Sequence, residues 1–255
     1  MAGSSDAARW NPIHCGLAAA GGSRAQSTEC VRPRAPMTLA EPPGREIRSY
    51  VLRQGRLSQA QKRALEEDLP QLLFSRDHCS SPQAAFDCLQ PLTLEIGFGN
   101  GESLLEMAKQ SPERNFIGFE VHGPGVGHLL LGIKRYELRN VRVSQSDAVD
   151  FLRALPEASL QRIQIFFPDP WHKKKHHKRR IVNVELLGLV ARVLEPEGVL
   201  HVATDWQPYA EEIQTLFEAD QRFSVVEAPQ RPETKYERRG RRLNHVITDL
   251  AIQRC

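Results

Sequence analysis

The sequence predicts an α/β protein: a mostly parallel sheet with helices on both faces. Three observations carry this expectation. Short apolar segments alternate with amphipathic ones over most of residues 92–252. The first apolar segment ends in a glycine-rich turn, Gly97-Phe98-Gly99-Asn100-Gly101, that opens onto a helix start. Acids recur at or near the ends of the apolar segments: Glu95, Glu120, Asp147, Asp169 and Asp205. Repeated strand–helix units build a parallel sheet, and ligand-binding residues then gather beyond the carboxyl ends of the strands. Independent surface acids would not be expected to collect along one such rim.

Residues 1–36 are rich in Ala, Gly, Ser and Arg, show no helical or strand period, and are expected to be disordered. An organelle transit peptide shares that composition, but Asp6, Glu29 and the lack of an amphipathic face count against one. Met37 opens a stretch that reads as an ordinary start, so an upstream-extended reading frame is preferred. Ser58-Gln59-Ala60-Gln61 reads as a capping box for a helix to about Leu69. Residues 92–96, LTLEI, make the first strand and 102–109 an amphipathic helix. A second strand at 115–121 and a helix at 124–138 follow. A third strand at 141–143 leads to Asp147, which either caps a helix starting near Ala148 or bonds an adenine amine. Residues 161–167 and 198–203 are strands four and five, separated by a helix at 182–193 with Leu186, Leu187, Val190 and Val193 on one face. A helix at 208–218 and strands at 223–227 and 245–252 complete the chain.

The glycine turn and the acids around it suit a nucleoside. Glycines let the backbone approach a ligand closely. The spacing here is G-x-G-x-G, tighter than the G-x-G-x-x-G that cradles a pyrophosphate, and Glu95 lies two residues ahead of the first glycine. That pattern suits adenosylmethionine, which has no phosphate and carries a sulfonium and an ammonium. Glu120 closes the second strand, where an acid can accept both ribose hydroxyls. A steric turn or a solvent-facing acid would each be ordinary alone. Strand, turn, helix and strand-end acid in this order point to a nucleoside site.

The run FFPDPWHKKKHHKRR, residues 166–180, is the most informative stretch. An apolar strand delivers one carboxylate, Asp169, between two prolines. Trp171 follows, and then Lys, His and Arg with no acid among them. Basic side chains hold phosphates and an indole can stack on bases. Most charge runs are merely solvated faces. The position of this one, at a strand end and downstream of the nucleoside motif, sets it apart. His172, His176 and His177 read as RNA-facing or solvated, because no acid or cysteine partners them as metal ligands.

Taken together, LEIGFGNGE, GFEVH, SDA, FFPDPWHKKKHHKRR, TDW and TKYERRG resemble the tRNA (guanine-N7-)-methyltransferase family of the bacterial single-subunit type, from about residue 45 to the end. The resemblance implies a Rossmann-like class I adenosylmethionine-dependent methyltransferase domain over residues 91–255. A helical extension at 45–90 and a disordered extension at 1–44 precede it. It implies methyl transfer from S-adenosyl-L-methionine to N7 of the guanine at position 46 in the tRNA variable loop, forming 7-methylguanosine. By motif, Glu95, Gly97, Gly99, Glu120 and Asp147 would bind the donor, and Asp169 would be the carboxylate at the reaction centre. Lys173, Asp205, Thr234, Lys235, Tyr236 and Glu237 would contact the tRNA. The implied protein is a cytoplasmic monomer whose partner is tRNA, with no metal, no membrane association and no obligatory protein partner. The departure from the family lies at the front, where residues 1–36 precede the family-like part.

The chemistry can be argued independently. Guanine N7 has an in-plane lone pair and no proton, and it stays exposed in the major groove of a base pair. No base is needed to activate it. Attack on a sulfonium methyl is an in-line displacement, for which orientation alone can supply roughly 7–11 kcal/mol. The methylated ring gains positive charge, which a fixed carboxylate favours. Asp169 can serve that role and also bond the guanine N1–H and 2-amino edge; the alternative is a turn cap between two prolines.

Length and charge fit this reading. A chain of 255 residues allows one large domain, and a net charge of +3 leaves nucleic-acid affinity to local clusters. Two clusters are compact, Lys173–Arg180 and Arg238, Arg239, Arg241 and Arg242; Arg45, Arg48, Arg53 and Arg56 form a looser third. Five scattered cysteines with no C-x-x-C argue against a disulfide framework or structural zinc. No apolar run approaches transmembrane length. Two other functions compete. An adenine amino-group methyltransferase usually carries Asp/Asn-Pro-Pro-aromatic, and Asp169-Pro170-Trp171 lacks the second proline. A non-catalytic RNA-binding protein would have no need of Glu95 or Glu120.

Overall fold

Each apolar segment anticipated from the sequence is a strand: β1 Leu92–Ile96, β2 Asn115–Phe119, β3 Val141–Ser144, β4 Leu160–Phe166, β5 Leu194–Thr204, β6 Phe223–Val226 and β7 Thr248–Arg254. The computed structural model describes residues 48–51 and 55–255, all within one compact unit. The expected extension at 1–44, and Arg45 and Arg53, lie outside the described residues. The strands form one sheet in the order β3-β2-β1-β4-β5-β7-β6. β1 to β5 pair in parallel, and β7 runs antiparallel to both β5 and β6.

Helices cover both faces. α3 (Glu102–Gln110) and α4 (Gly123–Arg135) bury Leu104, Leu105, Val126, Leu129 and Leu130 on one face. α5 (Ala148–Ala154), α6 (Val184–Val193) and α7 (Gln207–Ala219) bury Leu152, Leu187, Val190 and Ile213 on the other. Their apolar residues recur at helical spacing, so one stripe of each helix leaves water.

The capping box forms at Ser58: its Oγ accepts from the Gln61 N–H at 3.2 Å, and its N–H donates to Gln61 Oε1 at 2.9 Å. The helix it opens runs further than expected, as α1 (Gln59–Arg63), a π turn (Ala64–Asp68) and α2 (Leu69–Leu72). The ladder widens in the turn that meets Pro70, which has no N–H to donate. Ala64 joins the core under α3 and α4. Leu73 bridges Val143, and the Phe74 N–H donates to Val143 O at 2.9 Å. The segment therefore covers part of the exposed β3 edge.

One helix was not anticipated. α8 (Lys235–Arg242), sequence KYERRGRR, has no apolar stripe to signal it. Thr234 caps it by accepting the Glu237 N–H at 3.0 Å, and ion pairs hold it down. The final strand begins at Thr248 rather than at 245.

Register decides what the α3 face of the sheet carries. Thr93 pairs with Phe116 and Arg162, and Glu95 pairs with Gly118 and Gln164, which pairs with His201. Leu92, Leu94, Ile96, Ile163 and Ile165 point to the opposite core. Between α3 and the loop before α8, the middle strands thus present buried Thr93, Glu95, Gln164 and His201. Buried polar groups persist only when bonded.

Candidate active site

The turn after β1 is built by backbone conformation. Gly97, Gly99 and Gly101 have φ of 73°, 60° and 75°, a region most side chains avoid. At Gly101 space is also short: a Cβ would lie 2.7 Å from Leu129 Cδ1. Glu120 closes the turn. Its Oε2 accepts the Gly99 N–H at 2.9 Å, and its Oε1 accepts from Val121 at 2.7 Å and His122 at 2.9 Å. One carboxylate joins the glycine turn to the end of β2.

Glu95 is buried, and its Oε2 accepts from Gln164 Nε2 at 2.8 Å. Burial pushes its carboxyl up to about 7; the Glu120 carboxylate adds to the rise, while the Gln164 bond and Arg231 oppose it. Asp147 caps α5, its Oδ1 accepting the Val149 N–H at 2.9 Å.

α8 lies across the turn. Tyr236 stacks on Phe167 with ring centroids 6.3 Å apart, and its Cε2 would come within 3.3 Å of a Cβ on Gly99. Arg238 pairs with Glu102 at the start of α3. Glu95, Gly97, Ser103, Phe166, Lys235 and Tyr236 line the cleft between α8 and the turn. It holds about 20 Å³, room for one water. Ser103 Oγ is buried beside it, with no hydrogen-bond partner among the described residues.

The run Thr234–Glu237 divides in two. Lys235 and Tyr236 are exposed. Thr234 and Glu237 are buried, and Glu237 accepts from Arg231 at 2.6 Å and Arg241 at 2.7 Å. Arg231 also grips Asp249, which bonds His201 at 2.8 Å. Burial works to raise the Asp249 carboxyl, but those two partners hold it at about 2. Asp205, at the end of β5, faces His245 Nδ1 at 3.1 Å.

The loop after β4 is strained at both ends. Phe167 and Trp171, which bracket Pro-Asp-Pro, have φ of 53° and 46°. Asp169 is exposed, and its Oδ1 accepts the Trp171 N–H at 3.0 Å. Trp171, the indole that can stack on a base, already has partners within the chain. Arg179 lies over its ring at 3.9 Å, and its Nε1 donates to Ser49 O at 3.1 Å. Arg179 also donates to Arg48 O and Tyr50 O. Arg180 is buried against Tyr209 and pairs with Glu212. The basic run therefore splits: Lys173, Lys174, Lys175 and Lys178 face solvent, whereas the two arginines pin the loop.

Sequence reasoning missed Ser103, Gln164 and Arg231. Gln164 had a signal, a polar residue at strand period inside LQRIQIF. Arg231 had none, since its acids are 6 and 18 residues away.

A seven-stranded, mostly parallel sheet in the order β3-β2-β1-β4-β5-β7-β6, with β7 antiparallel, a glycine turn after β1 and an acid closing β2, is the class I methyltransferase fold. A solved structure shares it: the aminoglycoside resistance methyltransferase NpmB1 superposes with a TM-score of 0.51 at 18% identity, over 71% of this chain and 94% of that one. A family model described as putative methyltransferase matches residues 89–250. Curated tRNA (guanine-N(7)-)-methyltransferases are much more similar in sequence. That of Methylococcus capsulatus is 49% identical over 84% of this chain and 96% of its own length. Those of Alcanivorax borkumensis and Pseudomonas aeruginosa are 46% and 48% identical, over 82% and 83% of this chain and 92% and 91% of their own. The chain belongs to the tRNA (guanine-N7-)-methyltransferase family.

Proposed function

We propose that this chain transfers a methyl group from S-adenosyl-L-methionine to N7 of guanine 46 in the variable loop of tRNA, forming 7-methylguanosine. The observation that carries the reading is one rim of the sheet. There, the Glu120-tied glycine turn stands at β1 and β2, and the Asp169 loop with its exposed lysines stands at the neighbouring β4, in a chain of this family.

The residues present fit the donor. Glu95 is a carboxyl for an ammonium group, Ser103 Oγ is an orphaned hydroxyl at the start of α3, and a Cβ at Gly97 would meet nothing within 4 Å. Glu120 holds the turn through backbone N–H groups and has lone-pair capacity left for ribose hydroxyls. The donor, when bound, supplies a methyl group on a positively charged sulfur. Tyr236 of α8 lines the same cleft, so a donor that enters it meets that ring.

Asp169 faces solvent on a loop pinned by Arg179 and Arg180, so its charge is held in place with little reorganisation. In this role it offsets the charge that develops on guanine. Lys173, Lys235 and Tyr236 are the exposed members of the residues assigned to tRNA; Thr234 and Glu237 act by shaping α8. Asp205 is held beside α8 by His245. The protein works as a cytoplasmic monomer on this reading, and among the described residues no helix is long and apolar enough to cross a membrane. The deciding experiment incubates unmodified tRNA with the protein and methyl donor and maps 7-methylguanosine by mass spectrometry. Methylation at N7 of guanine 46 is expected. Methyl-adenosine, or no methylation by a folded protein, would overturn the proposal.

A further inference from the structure

A second cavity, of about 320 Å³, opens on the α3 face of the sheet and is larger than the cleft at the glycine turn. Met107, Gln110 and Ser111 of the α3 end form one wall and Gln230 to Pro232 the other, over Phe116 of β2. Its volume falls within the range of small-ligand sites, roughly 300–1,000 Å³. Three arginines line it, Arg114, Arg162 and Arg231, and among the described residues no carboxylate does.

The three differ in what they already hold. Arg231 is neutralised by Glu237 and Asp249. Arg114 uses Nη1 on Gln161 and Thr93, which leaves the rest of its fork unused by those bonds. Arg162 stands in the sheet row of Thr93, and among the described residues its guanidinium has no hydrogen-bond or ion-pair partner. Burial and the neighbouring Arg114 charge both disfavour its charged form. Two adjacent guanidinium groups, partly withdrawn from water and without an acid, are costly unless an anion sits between them. A planar fork with several N–H donors matches the oxygens of a phosphate.

We propose that this cavity is an oxyanion site that takes a phosphate group on Arg162 and Arg114, with Gln110, Ser111 and Gln230 as further hydrogen-bonding groups. It stands back to back with the glycine-turn cleft. Gln164 Nε2 bonds Glu95 on one side and Met107 Sδ, at 3.5 Å, on the other. Met107 lines the cavity and Glu95 lines the cleft. The site depends on none of the residues assigned to donor or tRNA.

The test titrates the full chain with inorganic phosphate at constant ionic strength, using calorimetry and thermal melting, with chloride as the control anion. Saturable binding and a rise in melting temperature are expected for the parent. Arg162→Gln should weaken binding at least tenfold, and Arg162→Lys should retain part of it. Should Arg162→Gln fail to fold, Gln110→Glu, which puts a negative charge on the wall, should weaken phosphate to a similar degree. Absence of saturable binding to the folded parent would overturn the proposal, as would equal binding by parent and variants. The phosphate has two sources, free small phosphate compounds and the RNA backbone. A fall of roughly 0.7–0.9 in the log–log salt slope of tRNA binding by Arg162→Gln identifies the backbone. An unchanged slope, with phosphate binding abolished, identifies a free phosphate compound.

Discussion

Glu120→Gln is the sharpest test of the donor site, because both oxygens of Glu120 accept from backbone N–H groups pointing in different directions. Oε1 takes Val121 and His122, and Oε2 takes Gly99. A glutamine has one acceptor oxygen and an NH2 that accepts nothing. With the oxygen kept on Val121 and His122, the NH2 confronts the Gly99 N–H. The turn must then shift or leave that donor unpaired, which costs about 1–3 kcal/mol for a buried group. Glu120 is half-buried, so water recovers part of this and about 1–2 kcal/mol is expected. For a domain of this size that lowers the melting temperature by roughly 2–8 °C. The bonds to ribose hydroxyls also lose their charge assistance. Since about 1.4 kcal/mol is a factor of ten, donor affinity should fall roughly 10- to 100-fold. Calorimetry with adenosylmethionine reads the affinity and a thermal melt reads the turn. A variant that melts and binds donor like the parent would refute both the anchoring and the ribose roles. A lower melting temperature with unchanged affinity would leave Glu120 only a structural part.

Other changes separate the remaining roles. Asp169→Asn should cut turnover by about 100- to 1000-fold at saturating substrates, with little change in melting temperature, because its Oδ1 can still accept the Trp171 N–H. Near-normal turnover would reduce Asp169 to a turn cap. Glu95 makes a pH prediction. Its carboxyl is raised from 4.5 to about 7, so the folded protein holds a proton the unfolded chain has released, and its contribution falls as pH rises from 4.5 through 7. Glu95→Gln should flatten that decline and stabilise the protein at pH 8, on the order of 3 kcal/mol at most. Because the ionised carboxylate is the form that attracts an ammonium, parent donor affinity should strengthen up to about pH 7 and that of Glu95→Gln should not. A pH-independent parent affinity would remove Glu95 from the ammonium site. Replacing Lys173, Lys174 and Lys175 with Ala should reduce the salt slope of tRNA binding by roughly 0.7–0.9 for every phosphate these lysines neutralise, leaving donor binding intact; an unchanged slope would make them a solvated face. Arg238→Ala removes the pair to Glu102 that ties α8 to α3, and should speed donor association if α8 must move. Equal association rates in stopped flow would argue against that motion.

The strand and helix positions were legible because they follow from local pattern. Apolar runs such as LTLEI and LQRIQIF can bury both faces only as interior strands, and the glycine turn needs three left-handed backbones that glycine alone adopts cheaply. The capping box at Ser58 and the cap at Asp147 are likewise bonds between near neighbours, so their residue types announce them. The rim acids could be placed at strand ends for the same reason.

What stayed hidden depends on residues far apart in the chain. α8 has no apolar stripe, and ion pairs from outside it hold it in place: Arg231 to Glu237, and Glu102, 136 residues away, to Arg238. The halves of the basic run look alike in sequence, yet Arg179 reaches back 131 residues to Arg48 while Lys173, Lys174 and Lys175 stand exposed. Only register aligned Glu95 with Gln164 and Thr93 with Arg162 on one face, and so raised a carboxyl and left a guanidinium with no acid partner among the described residues. The sequence by itself determined the methyltransferase fold, its family and the residues that meet at the rim, since local pattern and motif specify them. The tertiary structure decided which of those residues are free to meet a substrate, because burial and partnership depend on what the fold packs against each side chain.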